Sequence, residues 1–224
     1  MKLALFDLDH TLLDGDTNIL WIDHLAQQGL VQHGTIERQQ QYMALYAHEQ
    51  LDMAEYMDFH MGVLRSRSIS EWRPIVEHFV RSQLVPCLAP DALATLASHR
   101  DAGHRIALVT ATNAVLAGAL GQVLNIHTIA SEVEIMDDCV TGRTLGLPSF
   151  REHKIDRVQD WLGCELASEA VLESHFYSDS ANDIPLLQAV SHPVAVNPDA
   201  RLRALAEQNG WPQRRWKAAE AQLG

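Results

Sequence analysis

The sequence predicts an α/β fold of the doubly wound, Rossmann-like class: a parallel sheet with helices on both faces, carrying an all-helical insertion. Three observations predict it. From about residue 86 onward, short strand-like runs alternate with helical stretches, the grammar of a parallel sheet covered on both sides. Between about residues 16 and 85 no strand signal occurs, and apolar residues recur at helical spacing. Several apolar runs end abruptly in a carboxylate or hydroxyl residue, and in such sheets ligands sit beyond the carboxyl ends of the strands. A chain of 224 residues has room for a core at 1–15 and 86–224 with a smaller insert at 16–85.

Each element follows from local pattern. Leu3-Ala4-Leu5-Phe6 is an apolar strand that stops at Asp7-Leu8-Asp9. Strand side chains alternate faces, so Asp7 and Asp9 point the same way as the chain leaves the sheet. Two anions that close call for a cation between them. Asp14-Gly15-Asp16-Thr17 is a turn into a helix, with Asp16 or Thr17 as its N-cap. A helical pattern then runs from about Asn18 to Gln83, with breaks expected at Gly29, Gly34 and Arg65–Ser70. Met53, Met57 and Met61 form a stripe expected to pack inside this insert. Trp21, Tyr42 and Tyr46 suit the same packing, or the wall of a pocket.

After Pro86 and Pro90 the pattern gives a helix over Asp91–Arg100 and a buried strand over Arg105–Thr110. A helix over Thr112–Leu124 and a short strand over Ile126–Ala130 follow. Glu132–Ile135 and Val140–Arg143 flank Asp137-Asp138 as a β-hairpin. Then come a helix over Phe150–Leu162, a strand His175–Ser178 running into Asp179, and a helix Asp183–Val190. A strand Pro193–Val196 and a helix Asp199–Gln208 complete the series. Asp7, Asp9, Thr110 and Asp179 all fall at strand ends and are expected to meet at one edge.

Composition narrows the function. The formal net charge is −12 with the acidic residues spread along the chain, which opposes loose binding to nucleic acid or to an anionic membrane. No apolar run approaches a membrane span, and Asp7 and Asp9 interrupt the place where a signal peptide would continue. Cys87, Cys139 and Cys164 lack C-x-x-C spacing and are expected as inert thiols of a cytoplasmic protein. Lysine is scarce: Lys2, Lys154 and Lys217 stand beside fourteen arginines.

Four segments carry a resemblance. They are Phe6-Asp7-Leu8-Asp9-His10-Thr11-Leu12, Leu108-Val109-Thr110-Ala111-Thr112-Asn113, Lys154 in Phe150-Arg151-Glu152-His153-Lys154, and Tyr177-Ser178-Asp179-Ser180-Ala181-Asn182-Asp183. In this order, the chain resembles the haloacid dehalogenase superfamily of phosphatases from end to end. The resemblance implies Asp7 as nucleophile, forming an aspartyl-phosphate, and Asp9 as the acid and base that serves the leaving alcohol and the water. It implies phosphate held by Thr110, Ala111, Thr112 and Asn182, with Lys154 balancing charge. Magnesium would sit on Asp7, Asp179 and the backbone carbonyl of Asp9, with Asp183 behind, orienting Lys154 or a metal-bound water.

Reaction class follows from what is present. Dehalogenases of the superfamily lack the second aspartate, Asp9. Phosphonate-cleaving relatives use a cap lysine, and no lysine lies between residues 3 and 153. P-type pumps are far larger, and no P-loop occurs.

The helical insert resembles the cap of the phosphoserine-phosphatase-like branch. Asp14-Gly15-Asp16, Trp21, Val196-Asn197-Pro198-Asp199 and Gly210-Trp211 resemble a bacterial subgroup that includes histidinol-phosphate phosphatases. Asp16 occupies the place where the branch has a carboxylate facing a substrate amine, although helix capping also suits it. His10 suits a substrate contact or a turn surface equally. Phosphoserine would need a cation for its carboxylate, and Arg38, Arg65, Arg67, Arg73 and Arg81 are the insert's cations. Nine acidic residues against those five arginines favour L-histidinol phosphate, with O-phosphoserine second. The expected partner is therefore a small-molecule phosphate ester, with a homo-oligomer left open. A non-catalytic binding or regulatory protein on the same scaffold is the other class, and a phosphotransferase a lesser one.

Overall fold

A computed structural model describes residues 1–48 and 50–219. Its main sheet has six parallel strands in the order β3-β2-β1-β6-β7-β8. In chain order these are β1 (Lys2–Phe6), β2 (Arg105–Asn113), β3 (His127–Ser131), β6 (Glu173–Ser178), β7 (His192–Val196) and β8 (Gln213–Arg214). β1 lies in the middle, with Phe6 opposite Leu108 on one side and Tyr177 on the other. Strand order reverses there, which opens a crevice just beyond Phe6. A separate antiparallel pair joins β4 (Val133–Met136) to β5 (Cys139–Thr144). Asp137 and Asp138 both take positive φ, the conformation a two-residue primed hairpin turn requires.

Alternation along the strands sorts the core into two layers. Ala4, Phe6, Leu108, Tyr177, Val194 and Val196 face one cluster. Leu3, Leu5, Ala107, Val109, Phe176 and Ala195 face the other. The second layer is closed by α7 (His153–Leu162), α8 (Ile184–Ala189) and α9 (Ala200–Asn209). The first is closed by α5 (Pro90–Asp101) and α6 (Ala114–Leu124).

Between β1 and α5 stand α1 (Thr17–Gln27), α2 (Thr35–Ala47), α3 (Met53–Val63) and α4 (Ile69–Phe79). Gly29 and Gly34 take left-handed φ of 67° and 86° between α1 and α2, which explains why glycine breaks the helix there. A further break before α3 was not expected. Asp52 makes it by accepting the Ala54 and Glu55 N–H groups. Ser68 and Glu71 form a capping box that starts α4. Trp21, Trp72 and Phe79 pack as one aromatic group at centroid distances of 5.6 and 4.9 Å, continuous with the first core layer. The β4–β5 hairpin docks on this insert: Ile69 N donates to Asp138 O at 2.8 Å, and Arg65 Nε to Thr141 O at 2.9 Å.

Three boundaries differ from expectation for local reasons. β2 continues through Asn113, so Thr112 lies in the strand and Asn113 caps α6 by accepting Leu116 N–H. α7 begins at His153 because Arg151 takes a φ of 51°, outside helical space. β8 adds an edge strand of two residues that no periodicity signals.

Candidate active site

The crevice beyond β1 gathers the strand-end residues. Asp7 directly follows β1 and its N–H donates to Tyr177 O at 2.9 Å. Lys154, in the first turn of α7, is 2% exposed and reaches across from the second layer. Its Nζ donates to Asp7 Oδ1 at 2.9 Å and to Asp183 at 2.7 Å. Ser178 Oγ also donates to Asp183, at 2.7 Å, so Asp183 is pinned behind the lysine. Burial would lower the Lys154 ammonium, but Asp183 and Asp7 outweigh it and hold the group above its usual range.

The carboxylates feel each other. Burial pushes Asp7 up to about 7, opposed by Lys154 and helped by Asp183 and Asp9. Burial, then repulsion from Asp7 and Asp183, raises Asp179 well above the ordinary carboxylate range. Thr11 Oγ1 donates to Asp179 Oδ1 at 3.3 Å. One lysine therefore faces three aspartates, Asp7 and Asp183 buried and Asp179 half-buried, and the set lacks positive charge. Hard oxygen donors in that condition fit a divalent cation such as Mg²⁺, with Asp7 and Asp179 as the carboxylate donors.

Asp9 is held from both sides. Its Oδ1 accepts Thr17 N–H at 2.6 Å, from the start of α1, and its Oδ2 accepts the Thr112 hydroxyl at 2.7 Å. Thr112 thus positions Asp9 with its side chain, and its N–H donates to Thr110 Oγ1 at 3.1 Å. Asp16 serves two purposes. Its Oδ1 accepts both N-cap bonds, from Asn18 at 2.8 Å and Ile19 at 3.0 Å, while the carboxylate also lines the cavity. Burial, then Asp9, pushes it up to about 7.

The cavity measures about 910 Å³ with its open mouth. It brings together Asp7, Asp9, Thr110, Lys154, Asp179 and Asp183 with the other residues expected from sequence: His10, Asp16, Ala111, Thr112 and Asn182. Asn182 Oδ1 accepts Arg151 Nε at 3.3 Å, and His10 turns at a φ of 57°.

Sequence reasoning missed several residues. Met43, Leu51, Met53, Tyr56, Met57 and Phe150 line the cavity, as do Asn18 and Ser180. Of the three methionines expected as packing, Met61 and Met57 are buried in the core, and Met57 and Met53 also form cavity wall. Trp21 and Tyr42 are buried away from the cavity, and the side chain of Tyr46 lies outside the described residues. Asp199 begins a helix and belongs to the Val196–Asp199 segment of the resemblance, without a contact being expected of it. It caps α9 through Leu202 N at 2.7 Å and also accepts Ala181 N at 2.7 Å, fixing the loop after Asp179. Asn197 ties Trp216 O to His10 O through its Nδ2, both at 2.8 Å. Only the Asn-Pro-Asp clustering hinted at these contacts.

No arginine lines the cavity among the described residues. Arg38 pairs with Glu55 and stacks on Tyr42, Arg65 serves the hairpin, and Arg67 lies over the Trp72 ring. No helix of the described residues is long and apolar enough to cross a membrane.

The chain is similar to known proteins. A histidinol-phosphatase of Neisseria meningitidis is 35% identical over 217 residues, covering 94% of this chain and 97% of its own. A crystal structure of a Bordetella pertussis protein with unknown function superposes with a TM-score of 0.87 at 39% identity, covering 95% of this chain and 97% of that one. A phospho-aspartyl intermediate analogue of phosphoserine phosphatase shares the fold, with a TM-score of 0.63 at 16% identity over 96% and 92% of the two chains. The family model for haloacid dehalogenase-like hydrolases matches residues 4–188, and with the strand-end aspartates and buried lysine already in place, the chain belongs to that family.

Proposed function

We propose that this phosphoric monoester hydrolase is a Mg²⁺-dependent enzyme that works through an aspartyl-phosphate on Asp7, with L-histidinol phosphate as its substrate. The observation that carries the reading is the polarity of the cavity. At one end Lys154 bridges Asp7 and Asp183 beside Asp179, which suits a phosphate accompanied by a cation. Elsewhere in its lining stands Asp16, a carboxylate raised by burial and in want of a positive partner. Among the described residues no arginine lines the cavity to receive a substrate carboxylate, and Arg151 at its edge donates its Nε–H to Asn182. An amine without a carboxylate fits, and Tyr56, Phe150, Met53 and Met57 offer apolar faces for an imidazole. The Neisseria meningitidis relative at 35% identity is a histidinol-phosphatase, which supports the same substrate.

Asp7 attacks phosphorus as the ester P–O bond breaks, and Asp9 gives its proton to the departing alcohol. Asp9 then takes a proton from water, which attacks the aspartyl-phosphate and frees Asp7 and inorganic phosphate. Thr17 N–H and the Thr112 hydroxyl hold Asp9 in line for both transfers. Lys154 neutralises part of the charge on Asp7 throughout. Mg²⁺ on Asp7, Asp179 and the Asp9 carbonyl would supply the remaining positive charge for a phosphate dianion.

Phosphate release across a panel of monoesters tests this reading. L-histidinol phosphate should exceed O-phosphoserine in kcat/KM by about tenfold or more, the cost of a carboxylate left without a partner. Equal or better turnover of phosphoserine would overturn the substrate. No release from any ester, p-nitrophenyl phosphate included, would replace the enzyme by a phosphate-binding protein on the same scaffold.

A further inference from the structure

Histidines gather at the opposite edge of the sheet, around the amino ends of its strands. His99 lies in the last turn of α5, His104 just before β2, His175 within β6, and His192 opens β7. His99 Nδ1 and His104 Nδ1 are 2.9 Å apart, and the His175 ring lies 4.7 Å from that of His99. One ring nitrogen each of His99, His104 and His175 falls within 4.8 Å of the others. None of these residues lines the catalytic cavity, which opens at the carboxyl ends of the same strands.

We propose that His99, His104 and His175 bind one transition-metal ion of the Zn²⁺ class. Tetrahedral zinc holds imidazole nitrogens at about 2.0–2.1 Å, which sets neighbouring nitrogens roughly 3.3 Å apart. The close pair meets that spacing with an opening of a few tenths of an ångström, and His175, whose ring nitrogen lies within 4.8 Å of theirs, completes it by closing in by up to about 1.5 Å. Imidazole is a donor suited to zinc, copper and nickel, whereas Mg²⁺ prefers oxygen, so the two ends of the sheet select different ions.

Two of the rings are already oriented from behind. His99 Nε2 lies 2.8 Å from the Tyr177 hydroxyl, and His175 Nε2 lies 2.7 Å from Glu173 Oε1. Lys2 in turn anchors Glu173 at 2.6 Å. A carboxylate or hydroxyl on one ring nitrogen fixes the tautomer and presents the other to a metal. Water would take the fourth position. The ion would join the end of α5, the turn into β2 and strand β6, and so favour the folded chain by linkage.

Co²⁺ serves as the spectroscopic probe and Zn²⁺ as its competitor, added to untagged full-length protein in saturating Mg²⁺. One equivalent of Co²⁺ should bind with the visible bands of a tetrahedral site, be displaced by Zn²⁺, and persist in the Asp7→Asn/Asp179→Asn double variant. His104→Gln should abolish those bands while phosphatase activity in Mg²⁺ alone, without Co²⁺ or Zn²⁺, stays at the wild-type value. Glu173→Gln, which removes no ligand and is the safer variant for folding, should weaken Zn²⁺ binding about 10- to 100-fold. The proposal is overturned if no stoichiometric site appears, or if the signal survives His104→Gln but disappears with the aspartate variant.

Discussion

Asp16 shows how much one side chain can be asked to do. Its Oδ1 accepts two α1 N–H groups, yet the same carboxylate lines the cavity at a position that suits a substrate amine. Asparagine caps helices about as well as aspartate, so Asp16→Asn removes the charge and keeps the cap. A hydrogen bond to a charged group contributes roughly 1.5–3 kcal/mol, so KM for L-histidinol phosphate should rise about 10- to 100-fold. KM for p-nitrophenyl phosphate, which has no amine, should barely change. Equal effects on both esters, read by steady-state kinetics, would return Asp16 to capping alone. At this scale the gathering of the strand-end aspartates was legible because the sheet places them at one edge. The supporting contacts were not: Thr112 to Asp9 and Asp199 to Ala181 depend on how separate segments approach, and Ser178 to Asp183, five residues apart, depends on the turn that follows β6.

Among the elements, α3 carries an unusual load. His60 is 4% exposed, packs against Tyr56 and Phe59 at 4.4 and 4.9 Å, and neither ring nitrogen has a hydrogen-bond partner among the described residues. Burial pushes it down from 6.5 to about 3. Between those values the unfolded chain binds a proton that the folded chain does not, so stability is present above about 6.5 and is lost as pH falls. From pH 7.5 to 5 this one group should cost about 2 kcal/mol. Urea unfolding of wild type and His60→Met at both pH values isolates it: the gap between them should shift by that amount in favour of the variant. A constant gap would mean that His60 is not buried neutral.

Element types were largely readable from period and turn chemistry, down to the Asp137-Asp138 hairpin turn. The break at Asp52 escaped because the stretch before it has no glycine or proline. The two methionines on the cavity wall escaped because a helical stripe does not say whether it faces a core or a crevice.

Across the whole molecule, the insert and the sheet share one apolar layer while their polar faces enclose the site. Asp9 joins the two through α1 and β2, so catalytic geometry and the seating of the insert depend on each other. The charge balance of the cavity also belongs to this scale, since β1, α7 and the loop after β6 each contribute to it. Excess EDTA should abolish turnover and Mg²⁺ restore it. Mg²⁺ at about a hundred times its Kd should raise Tm by roughly 5 °C or more, because it binds only the folded arrangement. Unchanged activity in EDTA would remove the metal from the account.

The most direct measurement is acid-quenched protein mass spectrometry after rapid mixing with L-histidinol phosphate. The account predicts one added phosphoryl group, lost on hydroxylamine treatment and mapped to the peptide holding Asp7, and none in Asp7→Asn. A label on another residue, or steady turnover by Asp7→Asn, would contradict it.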